Sequence, residues 1–175
     1  VYAWFKDTAT ITYVPNGGTL NGSTGNYSDT VSLPAGGYTQ MPSPSKSYYT
    51  FDGWYFDSDL TEEATAVFTD CTLYAKWSPI EYAVIYHIPD GFGSLTNGSF
   101  KGEEIFNLSA LDNVTKDEKI YYFNNWYLSA DYSGESVTQI SAKNATGTEV
   151  HVYANFIDEI TYTVLFETGD DVDVD

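Results

Sequence analysis

The sequence predicts a mainly β protein with little helix, built from tandem repeats of about 70 to 80 residues arranged end to end. Three observations support this prediction. The 16 Tyr, 10 Phe and 4 Trp make up 17% of the 175 residues, and aromatic side chains favour half-buried strands. Short segments such as residues 10–14 and 83–87 alternate apolar and polar side chains, as strands do. Aromatic blocks recur in a fixed order.

The repeated order consists of an opening strand and turn, a central aromatic block and a closing strand. Asn16-Gly17-Gly18 and Asp90-Gly91 end the opening strands, and such residues tolerate the positive φ that tight turns require. The central blocks are residues 51–55 (FDGWY) and 123–127 (FNNWY), and the closing strands are residues 73–77 (LYAKW) and 152–156 (VYANF).

This order divides the chain into repeats. Residues 8–78 form the predicted first repeat and residues 79–157 the second. Residues 1–7 match the closing strand of a preceding repeat, and residues 158–175 match the start of a further, truncated one, so we expect the chain to be a piece of a longer array. The linker at residues 78–81 is short, which favours a semi-rigid connection.

Helix is predicted only in short pieces. Residues 58–66 and 107–113 are the two plausible helical segments, and neither has a long amphipathic stripe. Leu33-Pro34 and Ser43-Pro44 interrupt any helix in the middle of the first repeat.

The charge of the chain excludes several classes of partner. Asp and Glu number 25 against 7 Lys and no Arg, for a net charge of −18. A nucleic-acid binder needs a basic surface, and an anionic membrane would repel this chain as well. No apolar run reaches the roughly 18 residues of a membrane helix. We therefore expect no nucleic acid, no membrane insertion in this segment, and an acidic, soluble, monomeric chain.

The recurring Trp-Tyr pairs allow two interpretations. Trp54-Tyr55 and Trp126-Tyr127 could form exposed platforms for sugar stacking, or each Trp could fill the core of its own repeat. Their recurrence within a strand pattern favours the core. Sugar binding would then use loop tyrosines, for which the candidates are Tyr27, Tyr38, Tyr48 and Tyr49.

No catalytic residue, cofactor site or metal site is predicted. His87 and His151 have no cysteine or carboxylate at ligand spacing, so a structural role is expected rather than zinc binding. Cys71 is the single cysteine, which excludes an intrachain disulfide, and it has no evident His partner. Lys76 is a position to inspect for an isopeptide bond of the kind found in some bacterial surface domains.

The sharpest acidic run lies at the end of the chain. Its alternating carboxylates, at Asp170, Asp171, Asp173 and Asp175, resemble calcium ligands, but the glycine and terminal glutamate of an EF-hand loop are missing. A solvated tail is the favoured interpretation, and calcium binding stays open.

The ordered blocks resemble the Listeria–Bacteroides repeat, also called the internalin B B-repeat. The resemblance rests on Asn16-Gly17-Gly18, residues 51–55 and residues 73–77, and it extends more loosely over residues 83–156, where Asn125 and Phe156 replace a glycine and a tryptophan. It implies a β-grasp-like unit of about 70 residues, display on a bacterial cell surface or cell wall, a stalk or interaction role, and no catalytic residues.

The favoured function is a non-catalytic, secreted repeat module that acts as a stalk or spacer of a bacterial surface protein, and an adhesive role for that protein stays open. The alternative is a module that recognises a host protein or glycan through exposed aromatic side chains, in which case a contiguous apolar surface patch is expected.

Overall fold

The computed structural model describes residues 7–158. The predicted end strands within residues 1–7 and 158–175, and the acidic run at Asp170 to Asp175, lie outside the described residues apart from Asp7 and Asp158.

Residues 7–158 contain eleven strands and one short 3-10 helix. The strands are β1 (Thr8–Val14), β2 (Tyr27–Ser32), β3 (Tyr49–Tyr55), β4 (Cys71–Pro79), β5 (Glu81–His87), β6 (Gly98–Lys101), β7 (Phe106–Asn107), β8 (Val114–Lys116), β9 (Lys119–Tyr127), β10 (Gln139–Ile140) and β11 (Glu149–Ile157), and the 3-10 helix is Ala142–Asn144. The prediction of a mainly β chain with little helix is confirmed, while the β-grasp assignment stays a prediction.

Both predicted repeats use the same order of strands. The first sheet has the order β2-β1-β4-β3, with β1 antiparallel to β2 and parallel to β4, and with β3 antiparallel to β4. The larger sheet has the order β6-β5-β11-β9-β8, so its first four strands repeat the pattern. In this sheet β8 and β9 form an additional hairpin, and β7 pairs with β10 in a separate two-stranded sheet.

The two predicted helices are wrong. Residues 58–66 form turns and isolated bridges, and residues 107–113 are irregular after β7. In the first segment the carboxylate of Asp57 accepts hydrogen bonds from the backbone N–H groups of Thr61 and Glu62, and Leu60 has a φ of +58°. A local side-chain acceptor of this kind competes with helical hydrogen bonding and favours a turn.

Alternation along the strands builds the core of the first repeat. Ala9, Ile11 and Tyr13 point inward from β1 and are almost completely buried. They pack with Trp54 from β3 and Leu73 from β4 in one continuous cluster. Because β1 lies between two strands, its backbone is paired on both sides while one face of the strand fills the core.

The described part of the chain divides into two compact units. One comprises residues 7–84, 98–106 and 140–150, and the other comprises residues 85–97, 107–139 and 151–158. The repeat boundary predicted between residues 78 and 79 stays a prediction. Within residues 7–158 no helix has the length and apolarity needed to cross a membrane.

Candidate functional site

Both central tryptophans belong to the core, as the favoured interpretation predicted. Trp54 and Trp126 expose only 3% and 1% of their surface. The indole Nε1 of Trp54 donates to the carbonyl oxygen of Pro42 at 2.7 Å, and that of Trp126 donates to Ser109 at 2.9 Å. Neither indole face is therefore available to stack on a sugar.

The aromatic surroundings of the two tryptophans also match. Trp54 packs against Tyr13 with 4.9 Å between ring centroids and meets Phe51 edge-on at 5.4 Å. Trp126 repeats this arrangement with a tyrosine at 5.1 Å and a phenylalanine at 5.5 Å, which are Tyr86 and Phe123. The prediction that the two tryptophans share one kind of environment is confirmed.

The tyrosines that follow the two tryptophans, Tyr55 and Tyr127, are half-buried and contact neighbouring side chains. Tyr55 is half-buried, and Lys76 lies over its ring at 4.5 Å while donating to its hydroxyl at 3.3 Å. The Lys76 ammonium therefore faces an aromatic ring rather than the carboxamide that an isopeptide bond requires. Tyr127 is half-buried as well and meets Tyr132 edge-on at 5.8 Å.

The four tyrosines predicted to lie in loops do not converge on one site, and two of them, Tyr27 and Tyr49, are the first residues of β2 and β3. Tyr27 and Tyr38 pack against the first core, and the hydroxyl of Tyr38 donates to the backbone of Gln40. Tyr49 lies under the ammonium of Lys46 at 4.1 Å. All four candidates are half-buried, so only part of each ring faces solvent.

Tyr48 lines an open, mainly apolar groove. The groove has a volume of about 290 Å³, and its wall includes Ile105, Ala142 and the side chains of Glu103 and Lys143. Ile105 exposes 62% of its surface, which is high for a large apolar residue. Tyr48 itself has a φ of +65°, a backbone conformation that non-glycine residues adopt infrequently.

The two histidines meet, which the sequence did not predict. His87 lies on β5 and His151 on β11, and the Nε2 of His87 is 2.9 Å from the Nδ1 of His151. Tyr153 packs flat against the His87 ring at 4.3 Å. Burial and, second, the proximity of His151 hold the pKa of His87 below its usual value. The pairing depends on the relative register of strands that are 64 residues apart, so no local motif announces it.

Cys71 has the environment of a structural thiol. It is half-buried at the start of β4, where it packs against the first core. Burial and the nearby carboxylate of Asp70 raise the pKa of the thiol, so the less nucleophilic protonated form prevails at neutral pH.

Comparison with known proteins finds a family model that is similar to the first predicted repeat. Residues 10–76 match the family model of the Listeria-Bacteroides repeat domain. The match begins within β1 and ends within β4, so it includes all of β2 and β3 and most of β1 and β4.

Two curated proteins of Evansella cellulosilytica are similar to part of the chain. One, described as a Gly-rich membrane protein, is 33% identical over 91 residues, and another membrane protein is 32% identical over 92 residues. These alignments cover 48% and 50% of this chain but only 10% and 13% of the relatives. The chain therefore corresponds to a small part of each relative.

A solved structure of tandem streptococcal repeats, SHIRT domains 3-4 from a cell surface protein, aligns with 86% of this chain and 97% of its own length. The identity is 12% and the TM-score is 0.29, which is too low to indicate a shared fold. The likeness to a family therefore rests on the blocks of the first predicted repeat, where residues 10–76 match the model of the Listeria-Bacteroides repeat domain.

Proposed function

We propose that this chain is a non-catalytic spacer segment of an extracellular bacterial surface protein, in which repeats of one kind are joined by stiff linkers. The family match and the recurrence of the Trp54 environment around Trp126 support the repeat character. The observation that carries the spacer role is the linker around Ile80.

Only Ile80 separates the last residue of β4 from the first residue of β5. Its N–H donates to the carbonyl oxygen of Tyr48 at 3.0 Å, and its own carbonyl oxygen accepts from the N–H of Gly102 at 2.9 Å. Both backbone groups of the linker are thus fixed by neighbouring segments. A linker with satisfied backbone hydrogen bonds has few alternative conformations, in contrast to a solvated Gly/Ser linker.

Glycine at position 102 makes this close approach possible. A side chain there would meet the ring and hydroxyl of Tyr49 and the Cβ of Pro79, each at 3.2 Å, and the φ of Gly102 is +56°. The packing at the linker thus depends on specific residues of β3, β4 and the turn after β6, which favours one fixed geometry for the connection.

The charge of the chain supports an extended arrangement. A net charge of −18 with only seven Lys leaves little opportunity for attraction between copies. Repulsion between acidic repeats opposes side-by-side association, and salt weakens it over a Debye length of about 8 Å at physiological ionic strength.

Small-angle scattering on arrays of two, four and six repeats tests the spacer role. We expect a maximum dimension that grows in proportion to the number of repeats. Inserting Gly-Ser-Gly-Ser after Ile80 should broaden the distance distribution, whereas the same insertion between exposed Thr24 and Gly25 should not. A maximum dimension that stays nearly constant as repeats are added would overturn the proposal.

A second candidate function is recognition of a host protein or glycan. It is favoured by the mainly apolar groove lined by Tyr48 and Ile105, because a concave apolar surface with a few polar groups is the kind of site that binds ligands, and Ile105 is 62% exposed there. In this case Ile105→Ser would abolish adhesion of the array to host glycoproteins while leaving its scattering profile unchanged. Ile120→Ser is the matched control, because Ile120 is also exposed, at 49%, but is not part of the groove.

A further inference from the structure

The histidine pair is a cluster of metal-ligating groups that the spacer role does not use. His87 and His151 are the only two histidines of the chain, and they lie on strands that are neighbours in the larger sheet. The side chain of His87 is exposed and that of His151 is half-buried. Two imidazole nitrogens are thus held 2.9 Å apart at the solvent boundary.

The spacing of these nitrogens brings two potential ligands within reach of one ion. The Nε2 of His87 and the Nδ1 of His151 are 2.9 Å apart, which is the length of an ordinary hydrogen bond and by itself selects no metal. Imidazole nitrogens bind transition metals at about 2.0–2.1 Å, so a small rotation of the two rings would direct both lone pairs at one ion placed between them. Among divalent ions the affinity for nitrogen ligands rises through Ni²⁺ to a maximum at Cu²⁺.

The protonation chemistry is compatible with this use. A hydrogen bond between two imidazoles needs an N–H on one ring and a lone pair on the other. The donor ring can instead carry its proton on its second nitrogen, and both facing nitrogens then present lone pairs. Near pH 7.5 an ordinary histidine is mostly neutral, so a metal ion can replace the shared proton and take a lone pair from each ring. Tyr153 packs on a face of the His87 ring rather than at its nitrogen-bearing edge, and it fixes the orientation of the ring.

Access to the pair is open. His87 lines a cavity of about 330 Å³ together with Tyr86, Tyr132 and Tyr153, and this cavity is open to solvent. The acidic chain raises the local concentration of cations around its surface, which speeds their encounter with the pair.

We propose that His87 and His151 form a two-histidine site for a divalent transition-metal ion of the Cu²⁺ or Ni²⁺ type. Within residues 7–158 no group of three or more His, Cys, Asp and Glu side chains is arranged to hold a metal. Water completes the coordination, so the ion exchanges with solvent and is not needed for folding. Copper binds more tightly than nickel or zinc in this site, in keeping with the general order of divalent affinities.

Copper titration tests the site. Cu²⁺ is added to the whole chain at pH 7.5 with excess glycine as a competing chelator, and binding is followed by electron paramagnetic resonance. We expect one ion per chain and a spectrum with two imidazole nitrogens. His87→Gln and His151→Gln should each weaken binding by about ten-fold or more, because either change removes one of the two ligands.

Two controls separate this site from background binding. The double variant His87→Gln/His151→Gln reports the Cu²⁺ held by the terminal amine and the carboxylates. Ile120→Ser changes an exposed side chain on β9 that is not part of the cavity lining, so this variant should bind copper as the unaltered chain does. Single variants that bind copper as tightly as the unaltered chain, or a spectrum without imidazole nitrogen, would overturn the proposal.

A measurement on the unaltered chain guards against variants that fail to fold. Its proton NMR spectrum contains only two histidine imidazoles. Substoichiometric Cu²⁺ should broaden the signals of both rings together, and Mg²⁺ should leave them unchanged. Broadening of one ring alone, or of neither, would show that the two histidines do not share an ion.

Discussion

The turn that follows the opening strand has a small residue in the first predicted repeat and a large one in the second. Gly18 and Phe92 occupy equivalent positions, since the N–H of each donates to the carbonyl oxygen of the proline three residues earlier, at 2.9 Å and 3.0 Å. The closing strand facing this turn carries Trp77 in the first repeat and Phe156 in the second. The small residue of the turn is thus paired with the large ring, and the large residue with the smaller ring.

The geometry explains why the exchange is coupled. A Cβ atom at position 18 would lie 2.4 Å from Cζ2 of Trp77, so the first repeat has room only for glycine. In the second repeat the rings of Phe92 and Phe156 pack at 4.8 Å between centroids. Trp77, Phe92 and Phe156 are half-buried at the turn. Each predicted repeat thus covers the space between its turn and its closing strand with a different pair of side chains, and a change at one position should be felt at the other.

A similar exchange occurs in the bulge before each central tryptophan. Gly53 has a φ of +142°, which favours glycine. Asn125 takes the equivalent place and uses its side chain instead, donating to the hydroxyl of Ser136 at 3.1 Å and accepting from the N–H of Trp126 at 3.0 Å. Backbone freedom in one repeat is replaced by side-chain hydrogen bonds in the other.

The largest expected effect tests whether the two cores are energetically equal. Trp54→Ala and Trp126→Ala should each lower the free energy of unfolding of their own repeat by about 3–5 kcal/mol, because each removes a buried ring and leaves a cavity. Urea unfolding followed by amide NMR signals of each repeat measures the two losses. Phe68→Ala, at a side chain that is 64% exposed, should cost much less. A cost below about 1 kcal/mol for only one of the tryptophans would show that the cores differ.

An intermediate effect tests the coupled exchange. Phe156→Trp should destabilise the second repeat by about 1 kcal/mol, because the larger ring meets the ring of Phe92, which is 4.8 Å away between centroids at a half-buried position. Adding Phe92→Gly should recover part of this loss, so that the double variant is more stable than the sum of the single variants predicts. A double-mutant cycle on urea unfolding gives the coupling free energy.

If the losses of stability of the two single variants simply add in the double variant, positions 92 and 156 do not share a space.

The reverse exchange in the first repeat should recover less stability. Trp77→Phe would relieve the ring contact at Gly18, but a side chain there would still lie 2.9 Å from the carbonyl oxygen of Ser45. Trp77→Phe also loses the hydrogen bond from its indole to Pro15.

The parts of the structure that the sequence predicted are those encoded by local pattern. Alternation predicted β1 and β5, and recurrence predicted that Trp54 and Trp126 are buried alike. Burial of these tryptophans is predictable because side chains alternate between the two faces of a strand, and a large apolar ring is favoured on the face that is covered by the core.

The parts that could not be predicted depend on contacts between distant segments or on a single side chain. The meeting of His87 and His151 follows from the relative register of β5 and β11, which neither strand specifies by itself. The error over residues 58–66 arose because Asp57 caps a turn that composition alone cannot distinguish from a helix start. The hydrogen bonds of the Ile80 linker could not be predicted either, because they depend on Tyr48 and Gly102, which are distant in sequence.

The smallest expected effect concerns the tyrosine that contacts each central tryptophan. Tyr13 is 1% exposed, and its hydroxyl is the buried side-chain atom without a hydrogen-bond partner among the described residues. Tyr86 is only half-buried. Because an unsatisfied buried hydroxyl carries a desolvation cost, Tyr13→Phe should leave stability at neutral pH unchanged or raise it by about 1 kcal/mol. Tyr86→Phe should have a smaller effect.

Alkaline pH separates this explanation from a simple gain in apolarity. Burial is the first cause that raises the pKa of Tyr13 well above its usual value of about 10. The folded state therefore keeps the proton while the unfolded state releases it, so the stability of the first repeat is full below about pH 10 and declines as the pH rises above it. Tyr13→Phe removes this titration, and its advantage over the unaltered chain should widen between about pH 9.5 and pH 11. Thermal unfolding across that range measures the difference. An advantage independent of pH would mean that the Tyr13 hydroxyl is solvated or hydrogen-bonded in the folded state, as a half-buried tyrosine such as Tyr86 is free to be.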